Sequence, residues 1–124
     1  PAMLKKLDYL MRDKRTNQVH KMDPNLFQKF YNIQTNLGLR NAEIEVICGY
    51  RSAATNTMRR RQSRGVAKNS YHIKGKAIDF RIAGVPLIKV KSSAESLRNG
   101  GVGYYPTSNF IHVDTGPVRT WKGV

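Results

Sequence analysis

The 124-residue chain has one cysteine, five prolines and eight acidic residues. The lone Cys48 rules out an internal disulfide. Its place in the run Val46-Ile47-Cys48 reads as a small buried hydrophobe rather than a nucleophile. No apolar run approaches the roughly 20 residues that a membrane-spanning helix needs, and a mean hydropathy of -0.54 agrees, so no transmembrane segment is expected. Internal repeats, low-complexity tracts and linkers are also missing. Residues 1–124 therefore read as a single domain with a modest core. The scarcity of acids constrains function most: any chemistry that needs a carboxylate must draw on Asp8, Asp13, Asp23, Glu43, Glu45, Asp79, Glu95 or Asp114.

Basic residues are plentiful. Twenty-two Lys and Arg give a formal net charge of +14, a field that favours polyanions such as nucleic acid, anionic wall polymer or an acidic membrane surface. They are spread along the chain, and the one tight cluster, Arg59-Arg60-Arg61, reads as a solvated helix face, so no nucleic-acid partner is expected. The opening Pro1-Ala2-Met3 is not a natural translation start and reads as a processed end, so the lack of a leader is silent on export.

Asp23-Pro24 offers a helix cap with proline at the first helical position; Leu26, Phe30, Ile33 and Leu37 follow at helical spacing, and Gly38 ends the helix. Glu43 to Cys48 alternates as a strand, and Gly49-Tyr50-Arg51-Ser52 forms a turn, with Ser52 capping a helix to about Gln62. Arg64 to Tyr71 reads as a loop, Lys76 to Ile82 as a strand, and Pro86 opens a helix that Asn99-Gly100-Gly101 stops. Val102 to Tyr105 and Phe110 to Asp114 read as a hairpin. Helices mixed with short strands, without regular βαβ alternation, predict an α+β fold with a small antiparallel sheet flanked by helices.

Period-two geometry concentrates the chemistry. Ile111 and Val113 face one way, His112 and Asp114 the other, while Asp79 lies opposite Ile78 and Phe80. If these strands share a sheet, Asp79, His112 and Asp114 converge on one polar surface, and His72 reaches it from the preceding loop. Two histidines with one carboxylate are a common catalytic zinc set, with the fourth position left to water. His20, in a polar stretch without comparable partners, is assigned to an ordinary hydrogen-bonded role.

Ser70-Tyr71-His72-Ile73-Lys74-Gly75-Lys76-Ala77-Ile78-Asp79 matches the S-x-H-x-x-G-x-A-x-D motif of D-Ala-D-Ala metallopeptidases, the superfamily that includes lysostaphin-type peptidases and the sonic hedgehog fold. Gly49 to Ser52 resembles their upstream G-Y-R-S element. Gly100 to Pro106, Phe110 to Gly116 and Arg119 resemble the MepK-type murein endopeptidase branch. The likeness runs from about Leu7 to Trp121. It implies zinc held by His72, Asp79 and His112, with Arg51 and Ser70 at the substrate side and Arg51 stabilising the oxyanion. Many superfamily members carry Glu or Asp three residues before the last histidine ligand, where this chain has Asn109. Asp114 is then the acid expected to move the proton, its alternative role being to orient a ligand histidine or Arg51.

The resemblance implies a zinc-dependent murein endopeptidase that hydrolyses peptidoglycan crosslinks in the periplasm or cell envelope, with a monomer favoured. Two alternatives stay open: a carboxypeptidase trimming stem peptides, and a zinc-bearing wall-binding module without catalysis. The bond cut, D-Ala–diaminopimelate or diaminopimelate–diaminopimelate, is also open.

Overall fold

The computed structural model describes residues 2–62 and 70–124; most of the loop expected from Arg64 lies outside them. Helix α1 spans Ala2–Leu10 and α2 Pro24–Asn36. Asp23 caps α2, its carboxylate accepting the Asn25 N–H at 3.0 Å, with Pro24 in the first turn where a missing N–H costs nothing. Gly38 follows the helix at φ 69°, the left-handed conformation that ends helices. Strand β1 is Ile44–Cys48, α3 Ala53–Gln62, β2 Ala77–Ile82, α4 Leu87–Ser96, β3 Gly101–Tyr105, β4 Phe110–Asp114 and β5 Arg119–Lys122. The three arginines that end α3 are exposed, as a solvated face requires, and sit where cations complement the helix dipole.

The five strands form one sheet in the order β1-β2-β4-β3-β5. All neighbours are antiparallel except β3 and β5, which run parallel. The expected α+β architecture is present, but the sheet is mixed. Sequence reading found neither α1 nor β5: Arg119-Thr120-Trp121-Lys122 is too short and too polar to announce a strand, and pairing along β3 stabilises it.

Alternation divides the sheet cleanly. Ile78 pairs with Val113 and Phe80 with Ile111, so these four share a face, fully or almost fully buried beneath α2 and α4. Leu26, Phe30 and Ile33 of α2 and Val90 and Ala94 of α4 complete that core, where Phe30 meets Phe80 edge-on at 4.7 Å. Apolar burial on this scale is the main stabilising term. The opposite face carries Asp79, His112 and Asp114.

Candidate metal centre

Strand register sets the site. Cys48 pairs with Asp79, Asp79 with His112, His112 with Gly103, and Gly103 with Trp121, one row crossing all five strands. Beside it runs a second row in which Ala77 pairs with Asp114 and Gly101 with Arg119. Gly101 and Gly103 alternate on this face of β3 for a steric reason. A Cβ at Gly103 would stand 2.6 Å from the Trp121 ring, and one at Gly101 would stand 2.4 Å from an Arg119 guanidinium nitrogen. Without side chains at these two positions, β5 reaches across β3: Trp121 packs against His112 with ring centres 5.1 Å apart, and Arg119 grips Asp114.

His72 comes from outside the sheet. Ser70 starts a short 3₁₀ turn, Tyr71–Lys74, by accepting the His72 N–H on its hydroxyl at 3.1 Å, and Gly75 closes the turn at φ 68°. The Gly49 to Ser52 turn is fastened to it. The Arg51 N–H donates to the His72 carbonyl at 3.1 Å, and His72 Nδ1–H donates to the Gly49 carbonyl at 2.8 Å. Gly49 has no room for a Cβ, since Met11 backbone atoms would lie within 3.0 Å. The G-Y-R-S element therefore aims His72 before it touches any substrate.

Those bonds fix tautomers. His72 Nδ1 must carry a proton to meet a carbonyl, which leaves the Nε2 lone pair facing Asp79 Oδ1 at 3.1 Å. His112 Nε2–H donates to Asp114 Oδ2 at 2.7 Å, which leaves the Nδ1 lone pair facing the same Asp79 oxygen at 2.9 Å. Three acceptor atoms thus converge, and only protons or a cation can relieve the repulsion. The outward nitrogen of each imidazole is held by a carbonyl or carboxylate, the support that metal-binding histidines use. The donor set, two imidazoles and a carboxylate, fits a zinc-like ion.

Without a metal, protons fill the gap. Burial alone would lower the pKa of His72, but the Asp79 charge and hydrogen bond outweigh it and raise the value to about 10. Burial also opposes charging His112, and bonds to Asp114 and Asp79 overcome it and raise its pKa. Burial would likewise push Asp79 up; the two histidines hold it well below the usual carboxylate range.

The remaining residues with expected roles divide. Arg51 is nine-tenths buried on the cleft wall; its Nη1 donates to Asn56 at 2.9 Å and its Nη2 to Cys48 Sγ at 3.4 Å, while its buried Nε has no partner among the described residues. Ser70 lines the cleft, but its hydroxyl serves the turn. Asp114, expected either to move the proton or to orient a ligand histidine or Arg51, lies on the same sheet face as Asp79 and His112. It has no exposed surface, and its oxygens accept from Gly101 N, Gly116 N, both Arg119 terminal nitrogens and His112 Nε2 at 2.7–3.1 Å. Burial opposes its ionisation, yet His112 and Arg119 keep its carboxyl well below the usual range. His20 stands apart, exposed and stacked on Tyr50.

Sequence reading missed Cys48 as a site residue. A bulge between Val46 and Cys48 shifts the register by one and sets Cys48 opposite Asp79. Its sulfur and the donor atoms of His72 and Asp79 lie within 4.8 Å of one another. Trp121 and Arg119 were missed as contacts because they depend on β5; the Gly101-Val102-Gly103 alternation was the available signal.

The centre opens into a cleft of about 920 Å³. One wall is aromatic: Trp121 Nε1–H donates to the Tyr105 hydroxyl at 2.8 Å, and Tyr105 stacks on Phe110 at 4.5 Å. Arg51, Arg59 and Arg119 make other parts of the lining cationic.

Residues 1–121 match a metallopeptidase family described as peptidoglycan L,D-endopeptidase MepK. A Haemophilus influenzae protein named probable peptidoglycan L,D-endopeptidase MepK is 98% identical over 124 residues, all of this chain and 67% of that protein. The Escherichia coli K12 peptidoglycan L,D-endopeptidase MepK is 52% identical over 118 residues, 95% of this chain and 64% of that protein. The chain thus spans about two thirds of the length of the curated relatives it matches. No solved structure matches it.

Proposed function

This chain belongs to the MepK family of peptidoglycan L,D-endopeptidases, and we propose that it is the zinc-dependent unit that hydrolyses stem-peptide crosslinks in the bacterial envelope. The observation that carries the reading is that His72 Nε2 and His112 Nδ1 both meet Asp79 Oδ1, at 3.1 and 2.9 Å, with the opposite imidazole nitrogens held by Gly49 and Asp114. His72, Asp79 and His112 would hold the zinc, which when bound supplies Lewis acidity and lowers the pKa of water to near 7.

The other residues bind and orient. Arg51 lines the cleft, and its guanidinium charge suits a substrate carbonyl that gains negative charge or a stem carboxylate. Ser70 holds the turn that carries His72. Asp114 fixes the His112 ring through Nε2–H and keeps Nδ1 free to ligate; with every acceptor site taken, it is a positioning residue rather than the group that moves the proton. The Tyr105, Phe110 and Trp121 wall offers apolar area to the peptide stem, and the cationic lining attracts anionic wall material.

Purified sacculi and crosslinked muropeptides digested with and without a chelator test the reading. Dimers joined through two diaminopimelate residues should fall to monomers, and chelation should stop the reaction. Loss of terminal D-Ala alone would make the protein a carboxypeptidase, and intact substrates with zinc bound would make it a wall-binding module.

A further inference from the structure

Cys48 is the one side chain in the metal row that the proposed reaction does not use. It does not sit in the apolar core: the bulge at Ile47 turns it onto the cleft wall, across the strand pair from Asp79. Directly paired residues on one face bring their Cβ atoms to roughly 4.5–5.5 Å, and the Cys48, His72 and Asp79 donor atoms all lie within 4.8 Å of one another. A second observation comes from Arg51. Its side chain, nine-tenths buried, donates from Nη2 to the sulfur at 3.4 Å, while its buried Nε lacks an acceptor among the described residues. A cation beside a sulfur favours the thiolate, the form that binds metals.

Resting on the metal reading above, we propose that the Cys48 thiolate is a fourth protein donor at this centre, closing the set around the ion when no substrate is in the cleft. As the sulfur–metal bond forms, the thiol proton leaves to solvent. Three protein donors leave a position open for chemistry, and four close it. Opening a position for substrate would require Cys48 to leave the ion as a thiol, its proton drawn from solvent, with Arg51 Nη2, 3.4 Å from the sulfur, as the partner it would keep. A soft thiolate also shifts the preference of the site toward thiophilic divalent ions and away from magnesium or calcium.

Cobalt(II) substitution reads the donor set without reference to activity. The cobalt-loaded protein is expected to show visible ligand-field bands together with a near-ultraviolet sulfur-to-cobalt charge-transfer band. In Cys48→Ser the charge-transfer band should be lost while the visible bands persist, which also shows that the variant is folded and loaded. Visible bands without charge transfer in the unmodified protein would overturn the Cys48 assignment and leave the His72, Asp79 and His112 centre standing. Failure of the unmodified protein to take up cobalt or zinc would overturn both.

Discussion

Two adjacent rows of residues cross the same face of the sheet, and they treat their carboxylates in opposite ways. In the row Cys48–Asp79–His112–Gly103–Trp121, one Asp79 oxygen faces two imidazole nitrogens whose lone pairs point back at it. In the row Ala77–Asp114–Gly101–Arg119, Asp114 is surrounded by donors and closed to solvent. The first arrangement is incomplete without a cation; the second is complete already. Buried polar groups in folded proteins are normally satisfied; the first row meets that rule only by sharing protons or a cation at Asp79, which marks it as the place of chemistry, and its already complete neighbour supplies rigidity.

Breaking the incomplete row should have the largest effect. Asp79→Ala or His112→Ala is expected to take cleavage of crosslinked muropeptides to background and to abolish zinc retention on dialysis. The satisfied row should behave differently. Asp114→Asn keeps the shape but removes the charge that holds His112, and zinc affinity should fall by about 10–100-fold, with cleavage recovering as zinc is raised to saturation. Cleavage still absent at full zinc occupancy would return Asp114 to the role of proton carrier. Arg119→Gln acts one step further out and should give a weaker version of the same recoverable loss.

The comparison also predicts a dependence on pH. The raised pKa of His72 stabilises the metal-free fold fully below about 6.5, its ordinary value, and that contribution is lost as pH rises through about 10. Chemical denaturation of chelated protein should show stability falling across this window. Zinc displaces the same protons, so the loaded protein should lose most of that slope. The smallest effect belongs to a remote control. Asp23→Ala removes the cap of α2 and should cost about 1 kcal/mol of stability with zinc affinity unchanged.

The parts of this fold carried by periodicity and caps were legible in the chain. Asp23-Pro24 and Gly38 bracket α2, and alternation in β2 and β4 assigned Ile78, Phe80, Ile111 and Val113 to one face and Asp79, His112 and Asp114 to the other. What stayed hidden depends on pairing between distant segments. The bulge at Ile47 leaves no pattern in a five-residue strand, so Cys48 looked like one more core residue. Strand β5 exists through its partner β3, and with it come Trp121 and the Arg119 clamp. The carboxylate of Asp114 was placed on the correct face, but how many donors surround it cannot be read from spacing. Proximity to His112 suggested a base; saturation by Gly101, Gly116 and Arg119 argues for support.

The most direct test of the central claim measures zinc content and crosslink cleavage together, in the unmodified protein and in Asp79→Ala. The account predicts one zinc per chain with active cleavage in the first, and loss of both in the second. Cleavage that survives in zinc-free Asp79→Ala protein would contradict it.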